Sequence, residues 1–511
     1  MQKVGDIEYK EVEKSLNAHM SAWVRIFQGD DRTGSNYQAT HNAIPPLYGL
    51  RKDHKHCEDQ VKGPPIRPVC GAVVSCNYRI SHFLSMILRP LVEQAEETCE
   101  STEDLLSKIK ECNESENLTK SIVGSMDVTA LYPSIDVDFA VDKCIQLIDE
   151  SDMEFINIDT DELGSFLMMT NNKEELQTKD LLKYCPARIT KRGRAPKLTA
   201  SGVANNKEKR WTGWTKSDIK PGSLEIKKLV TLALRTSLLV TMKNHICQID
   251  NNVYKQTQGG EIDVGIAGDV ATLFMVWWDR ELKNRLRRQS IKVQLYKRYV
   301  DDTNLVVKTV PRANEQPNDK LTMETIQKVA NEIHPSISVT IDFPTNHVNN
   351  KMPVLDLELW IGMVEVDGSM KHQILFSHYM KPMANKYLIN NRSALSATMK
   401  NKVLVADLVR IMRNVSLQCP ESERQKHIQH FIKRMQFSGY HQRERVKVYN
   451  EAKRRFEKII ERDRKGECPM YRRKFWERRQ REQEKINKKR TWYTKEAMKQ
   501  YFSLMQPQAE N

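Results

Sequence analysis

The sequence predicts an α+β fold, and three observations lead to this prediction. An apolar strand pattern runs into Asp127 and is followed by a helical pattern. Apolar stretches rich in Tyr and Val flank Asp301 and predict paired strands. After Ser377 the chain becomes helical and increasingly basic. Strands in the middle of the chain are thus followed by helices toward its end.

The first element is a buried strand with a carboxylate at its exit. Residues 121–127 are mostly apolar and end in Asp127, and Pro133 then suits the start of a helix. The apolar residues that recur there at helical spacing are Val137, Val141, Ile145 and Ile148. Loops at strand ends carry function on a rigid scaffold, so Asp127 is a candidate functional residue.

The second element is a β-hairpin over residues 296–307 with two adjacent carboxylates near its tip. The residues expected to supply the turn are Asp302, Thr303 and Asn304. Because side chains alternate along a strand, Tyr299 and Asp301 should share one face while Val300 packs on the other. Two like charges side by side are unfavourable unless a cation lies between them and their partners. Together with Asp127, the pair predicts a metal site that faces phosphates.

The third element is helical and basic. The apolar residues at helical spacing are Val403, Leu404, Leu408, Ile411 and Met412. Residues 443–490 are dense in Arg and Lys with interspersed Glu. Such a pattern fits either a solvated helix held by i,i+4 ion pairs or a basic helix that follows a nucleic-acid duplex.

Several blocks of the sequence, in a fixed order, carry a family resemblance. Residues 41–55 read HNAIPPLYGLRKDHK and residues 65–69 read PIRPV. Residues 127–135 read DVTALYPSI, and residues 299–302 read YVDD. A weaker block comprises residues 353–357 and 379–382. These blocks resemble, in turn, the fingers segment, the two acidic palm motifs and the post-palm segment of reverse transcriptases, specifically the Penelope-like group of retroelement polymerases.

The resemblance implies a right-hand polymerase fold with fingers, a palm built on an antiparallel sheet, and a helical thumb. We expect fingers at residues 1–120, the palm at 121–360, the palm-to-thumb connection and thumb at 361–445, and a basic helical C-terminal extension at 446–511. Residues 151–222 look like an insertion in the palm, whose basic end carries tryptophans. This insertion either grips nucleic acid or is a surface loop that docks on the palm.

The resemblance also implies nucleotidyl transfer assisted by two Mg²⁺ ions, or by Mn²⁺ in their place. Magnesium prefers a few carboxylates together with substrate phosphates and water. We expect Asp127 and Asp301 as direct ligands, Asp302 close behind, and the Val128 carbonyl as a backbone ligand. The same three aspartates are the expected catalytic residues.

Further residues match nucleotide-binding positions of the family. Tyr132 stands where reverse transcriptases place an aromatic gate against the 2′ hydroxyl, which implies selection of deoxynucleotides; alternatively it packs the helix start before Pro133. Arg67, Lys52 and Lys55 fall where fingers residues would contact the triphosphate. The alternative is that they are solvated charges on a loop.

Residues 254–268 correspond to the family's Gln- and Gly-rich template and nucleotide element. Glycine permits close backbone approach to a ligand. Gln258, directly before Gly259, is the preferred contact, and Gln256 is the second choice. The family's Met-Gly-Ser-Pro ending is replaced by residues 263–266, DVGI. A plain Gly-rich turn before a helix at residues 271–278 is the alternative.

Composition fits a multidomain nucleic-acid enzyme. The 511 residues include 81 Lys and Arg against 66 Asp and Glu, a net charge of +15 that attracts polyanions, although it could also serve solubility. The ten cysteines form no Cys-x-x-Cys pair and no signal sequence opens the chain, which predicts a reduced intracellular location, nucleus or cytoplasm. No apolar run is long enough to cross a bilayer, so a membrane is not an expected partner.

The sequence thus predicts an RNA-directed DNA polymerase that acts on an RNA template, a DNA primer and deoxynucleoside triphosphates. An RNA-directed RNA polymerase shares the palm acids, but Tyr132 and the fingers block argue against it. A catalytically inactive, nucleic-acid-binding derivative is the alternative from another class. The intact acids Asp127, Asp301 and Asp302 argue against that alternative, and the altered glycine segment favours it.

Overall fold

The structure is a computed structural model, and it describes most of the chain. The described ranges are 1–28, 43–51, 66–71, 75–155, 158–170, 224–260, 265–308, 319–381, 387–471 and 491–493. Lys52 and Lys55 lie outside these ranges, as do residues 171–222 of the expected insertion. The predicted roles of those residues stay predictions.

The chain divides into two compact units. The first unit comprises Met1–Ala95, Ala130–Trp278 and Ile486–Asn511, and the second comprises Glu96–Thr129 and Asp279–Lys485. Both units contain helices and strands, which confirms the predicted presence of both element types, while the predicted domain bounds stay a prediction.

The helices are α1 (Asp6–Gln28), α2 (Tyr78–Gln94), α3 (Thr102–Ser115), α4 (Leu131–Ser134), α5 (Val137–Glu150), α6 (Thr160–Thr170), α7 (Leu224–Lys243), α8 (Gly265–Arg288), α9 (Asp319–Asn331), α10 (Ala397–Arg413), α11 (Glu421–Phe437) and α12 (Gln442–Arg464). The strands are β1 (Gln2–Val4), β2 (Leu47–Arg51), β3 (Ile66–Cys70), β4 (Ser121–Val128), β5 (Glu154–Phe155), β6 (Ile246–Ile249), β7 (Asn252–Lys255), β8 (Lys292–Tyr299), β9 (Asp302–Lys308), β10 (Val339–Asp342), β11 (Met352–Val354), β12 (Leu357–Val366), β13 (Ser369–His378) and β14 (Thr491–Tyr493). None of the helices among the described residues is both long enough and apolar enough to cross a membrane.

The first unit is built around an aromatic core. Trp23 of α1 is fully buried and contacts Phe27 and Phe83. Its indole Nε1 donates a hydrogen bond to Ser237 Oγ of α7 at 2.9 Å, and His19 Nδ1 lies 3.0 Å from the same hydroxyl. Buried polar groups are stable only when they are paired in this way. This core fixes α1 against α7.

Three small sheets belong to the first unit. Strands β1, β7 and β6 form an antiparallel sheet in that order, β2 pairs antiparallel with β3, and β14 pairs parallel with β5. The helix expected at residues 137–148 is α5, whose N-cap Asp136 accepts a hydrogen bond from the Phe139 amide. The helix expected at residues 271–278 lies within the longer α8.

The second unit contains an antiparallel sheet of four strands in the order β10-β4-β9-β8. This confirms the strand that leads into Asp127 and the hairpin that carries Asp301. Strand β4 is central, and Ile122, Val123 and Met126 on it are buried. A central strand with neighbours on both sides holds its terminal residues in a fixed register.

The hairpin turn differs from the prediction. Val300 and Asp301 form the turn, because Tyr299 pairs with Asp302 across the strands. Val300 has a φ of +56° and is 41% exposed, so the expectation that its side chain packs on a sheet face was wrong. Two-residue hairpins need positive φ values to match the twist of their strands, a demand that a β-branched residue rarely meets.

The residues expected to make that turn lie in strand β9 instead. Thr303 and Asn304 are 1% and 3% exposed, and they pair with Met126 and Ser125 of β4. The polar side chains of Thr303 and Asn304 suggested a turn. Pairing with the central strand β4 instead places both residues in strand β9.

The last helices of the second unit pack as predicted, with one exception. Leu404, Leu408, Ile411 and Met412 of α10 are buried, whereas Val403 is 42% exposed. Val403 lies off the buried stripe, so its assignment to the core was wrong. On α12, Glu451 pairs with Arg454 and Arg455, as in a solvated helix.

Candidate active site

Strand pairing brings three acidic residues of the second unit together. Asp127, near the end of β4, lies directly opposite Asp302, the first residue of β9. The Val128 amide donates a hydrogen bond to the Asp301 carbonyl at 3.2 Å. The end of the central strand and the hairpin turn are therefore held in one register, although they are distant in sequence.

One carboxylate oxygen from each of Asp127, Asp301 and Asp302 lies within 4.8 Å of the others. Asp127 and Asp302 are exposed, and Asp301 is half-buried. Among the described residues, no other set of three or more His, Cys, Asp or Glu side chains converges this closely. The three predicted acids thus form one cluster where the two central strands, β4 and β9, meet the hairpin turn.

The electrostatics of the cluster favour a bound cation. Partial desolvation of its carboxyl group, and then the negative charges of Asp301 and Asp127, raise the pKa of Asp302 to about 6, while the positive charge of Lys381 opposes the shift. Clustered carboxylates disfavour full ionisation unless a positive charge compensates them. A divalent cation would supply that charge at neutral pH.

The donor set fits magnesium. Carboxylate oxygens are hard ligands, and magnesium is commonly held by one or two protein carboxylates that leave positions for water and phosphates. Val128 follows Asp127 directly, with its side chain buried. Its carbonyl stays a predicted ligand.

The expected gate residue and the glycine element lie close together in the first unit. Tyr132 is half-buried in α4, and its carbonyl accepts a hydrogen bond from the Gly260 amide at 2.8 Å. Gly259 has a φ of +72°, and a Cβ atom built there would lie 2.5 Å from the Pro133 carbonyl oxygen. Glycine is therefore needed at position 259 for close approach to the chain's own backbone. The close approach to a ligand that the sequence suggests for Gly259 stays a prediction.

A cavity of about 240 Å³ adjoins this contact. Pro133, Gln258 and Gly260 line it, together with Pro68 of β3. Gln258 is exposed, and its carbonyl accepts a hydrogen bond from Gln256 Nε2 at 2.7 Å. Both glutamines therefore border the cavity, and Gln256 also supports the main chain of Gln258.

Arg67 also lies in the first unit, on β3. It is exposed and pairs through the backbone with Leu50 of β2. Its neighbour Pro68 lines the cavity described above. Its contact with a triphosphate stays a prediction, as do the nucleotide-binding roles of Tyr132, Gln258 and Gly259.

Sequence reasoning missed two charged residues of the second unit. Lys381 acts on Asp302 by its charge, although the sequence indicated only a post-palm segment there. Arg298 is 1% exposed and forms an ion pair with Asp279 at 2.8 Å, immediately before the turn that bears Asp301. The basic pair Lys297 and Arg298 inside a strand rich in Tyr and Val was the signal that could have pointed to it.

No protein-family model matches the sequence, and no curated protein is significantly similar to it. Several solved structures share a low level of similarity. Telomerase from Candida albicans, in complex with a TWJ fragment of telomeric RNA, aligns at 11% identity and a TM-score of 0.42. That alignment covers 83% of this chain and 61% of the telomerase chain.

The RNA-dependent RNA polymerase of BmCPV at its elongation state aligns at 10% identity and a TM-score of 0.37, over 84% of this chain and 29% of the polymerase. This chain therefore spans less than two thirds of the length of either neighbour. TM-scores below 0.5 do not establish a common fold, so the function proposed next is inferred from this chain's own residues.

Proposed function

We propose that this protein is an RNA-directed DNA polymerase, a reverse transcriptase of the Penelope-like retroelement group with a right-hand arrangement of fingers, palm and thumb. One observation carries the proposal: Asp127, Asp301 and Asp302 converge within 4.8 Å although they come from separate parts of the chain. The motif resemblance gives the same three residues their roles. Geometry and motif order are independent reasons to assign them to one site.

The proposed reaction joins a deoxynucleotide to a primer. The primer 3′ hydroxyl gives up its proton to water, and its oxygen attacks the α-phosphorus to form the new phosphodiester bond. The bond between the α-phosphorus and the bridging oxygen breaks, and pyrophosphate leaves with its electron pair. When bound, two Mg²⁺ ions would supply Lewis-acid activation of the hydroxyl and neutralise charge on the phosphates. Asp127 and Asp301 would hold these ions, and Asp302 would complete the acidic set.

Other residues would bind and select the nucleotide. Tyr132 would exclude a ribose 2′ hydroxyl by steric overlap with its ring, so deoxynucleotides would be preferred. Arg67, Lys52 and Lys55 would bind triphosphate oxygens. The segment at Gln258 and Gly259 would contact the nucleotide or template base. The cavity that Gln256, Gln258 and Gly260 line supports that last assignment.

Primer extension on an RNA template tests the proposal. The full chain is expected to extend a DNA primer with deoxynucleotides in Mg²⁺ or Mn²⁺. The Asp301→Asn variant is expected to lose about 10³-fold in rate, since several kcal/mol of charge stabilisation are removed. Asp367→Asn is a matched control, because Asp367 occupies the turn between β12 and β13, at a φ of +51°, in the same unit.

The same assay distinguishes the alternatives. Faster extension with ribonucleotides than with deoxynucleotides would identify an RNA-directed RNA polymerase. Binding of the primed template without extension in either metal would identify an inactive nucleic-acid-binding derivative. Equal activity of Asp301→Asn and Asp367→Asn would contradict the assignment of the acidic cluster as the active site.

A further inference from the structure

A buried ion pair lies beside the hairpin that carries the acidic cluster. The side chains of Arg298 and Asp279 are 1% and 0% exposed, and Arg298 Nε donates to Asp279 Oδ2 at 2.8 Å. The Tyr296 hydroxyl donates to the other carboxylate oxygen, Asp279 Oδ1, at 2.6 Å. Burying an ion pair often adds no stability over apolar residues of similar size, so stability alone does not explain it.

Arg298 also reaches the turn itself. Its Nη1 donates a hydrogen bond to the Val300 carbonyl at 2.8 Å. Val300 has a φ of +56°, a conformation that a β-branched residue adopts only when its surroundings hold it. The peptide that carries this carbonyl links Val300 to Asp301. The guanidinium thus holds the peptide group from which Asp301 projects.

The main chain around Arg298 is held as well. The Arg298 amide donates to the Glu97 carbonyl at 2.9 Å, and the Cys99 amide donates to the Arg298 carbonyl at 2.7 Å. The neighbouring Lys297 Nζ donates to the Glu96 carbonyl at 2.7 Å. Strand β8 therefore cannot shift along this edge without breaking several hydrogen bonds. Arg298 connects a fixed strand end to the turn.

We propose that Arg298 is a positioning residue for the metal ligands Asp301 and Asp302, and that Asp279 is the counter-ion that orients its guanidinium. This inference rests on the metal site of the proposed polymerase. The planar guanidinium has several donors in a fixed fork, so it bonds Asp279 and the Val300 carbonyl at once. A lysine ammonium keeps the charge but lacks that geometry. Arg298 acts on the cation only through the turn.

Two conservative variants separate positioning from general stability. Arg298→Lys keeps a positive charge beside Asp279 and disturbs the bond to Val300. Tyr296→Phe is the matched control, because it removes a hydrogen bond to the same buried carboxylate and leaves the bonds of Arg298 in place. Both variants should lower the melting temperature. Only the first should disturb the metal ligands.

The decisive readout is Mn²⁺ binding to the full chain, measured by electron paramagnetic resonance of free Mn²⁺. Residues that orient metal ligands typically contribute about 10- to 100-fold to metal affinity. We expect Asp301→Asn to abolish Mn²⁺ binding. Arg298→Lys should weaken the Mn²⁺ affinity by about 10- to 100-fold. Tyr296→Phe should stay within about twofold of the unmodified protein. Unchanged Mn²⁺ affinity in Arg298→Lys, or an equal loss in Tyr296→Phe, overturns the proposal.

A second variant keeps the test valid if Arg298→Lys does not fold. Asp279→Asn retains Arg298 and its donors but weakens the anchor of the guanidinium. It is expected to weaken Mn²⁺ binding by about 10-fold, the lower end of the same range. Unchanged Mn²⁺ affinity in a folded Asp279→Asn protein also overturns the proposal.

Primer extension separates failure of this inference from failure of the proposed function. If the unmodified protein binds Mn²⁺ through Asp301 but extends no primer, the polymerase proposal fails, while the variants still test Arg298. The other outcome is that the unmodified protein extends a primer and the Arg298→Lys variant needs the same metal concentration for extension. In that case the positioning role of Arg298 fails and the polymerase proposal stands.

Discussion

Replacing Asp302 with asparagine should stabilise the metal-free protein. The carboxylates of Asp127, Asp301 and Asp302 approach within 4.8 Å of one another. Two negative charges at this separation repel by about 1 kcal/mol in water and by about 3 kcal/mol at an effective dielectric constant near 20. Because two of the three side chains are exposed, screening favours the lower value. A neutral asparagine side chain in place of Asp302 would escape repulsion from two neighbours, a gain of about 2 kcal/mol.

The gain should depend on pH in a defined direction. Partial desolvation of its carboxyl group and the two neighbouring carboxylates raise the pKa of Asp302 from 3.8 to about 6. The folded protein then binds more protons than the unfolded chain between these values, so its stability falls as the pH rises through that window. The advantage of Asp302→Asn should be absent below about pH 4 and fully present above about pH 6.

Urea unfolding followed by circular dichroism measures this effect. In EDTA at pH 8 and low ionic strength, Asp302→Asn should unfold at a higher urea concentration than the unmodified protein. High salt should reduce the difference, and Mg²⁺ should reverse it by binding the unmodified site more tightly. Asp367→Asn should unfold with the unmodified protein. An Asp302→Asn variant that is no more stable in EDTA would refute the reasoning, because the carboxylates would then not be crowded.

Three further predictions concern the first unit. Gly259→Ala should lower the free energy of unfolding by about 2 kcal/mol or more in urea, because the new Cβ meets main-chain oxygens at a positive φ. Ser237→Ala should cost about 1–3 kcal/mol in the same assay, because the buried Trp23 Nε1 loses its acceptor. Tyr132→Ala should raise the ratio of ribonucleotide to deoxynucleotide incorporation in primer extension; an unchanged ratio would contradict the gate assignment.

The backbone around the site could be predicted because its signals are local. Strand β4 appears as a short apolar run that ends in Asp127, and the hairpin appears as two Tyr- and Val-rich runs. The order of the acidic motifs further predicted that these distant segments belong to one site. Antiparallel pairing then places Asp127 opposite Asp302, as that hypothesis requires.

The turn could not be predicted, because its conformation opposes the local preference of its residues. Val300 adopts a positive φ that valine disfavours, and Thr303 and Asn304, typical turn residues, are buried in β9. The cause is nonlocal. Pairing of Ser125 and Met126 with Asn304 and Thr303 fixes the register of the hairpin against the central strand. The periodicity of the sequence does not predict which residues pair across the strands.

The support of the site was hidden for a different reason. In a chain with net charge +15, an arginine such as Arg298 is expected to be exposed to solvent. Only the folded chain reveals that Arg298 is buried beside Asp279, which lies on α8. An ion pair between distant elements leaves no periodic signal in either one.

The arrangement of charges around the turn suits a site that must hold a cation. A guanidinium paired directly with Asp301 would also fix the turn, but it would compete with the cation for that carboxylate. Arg298 instead supports the turn through the Val300 carbonyl, and Asp279 balances its charge. Rigidity is thus supplied from the buried side of the hairpin, while Asp127 and Asp302 stay exposed, as the proposed metal site requires. Repulsion among the acids then favours metal binding.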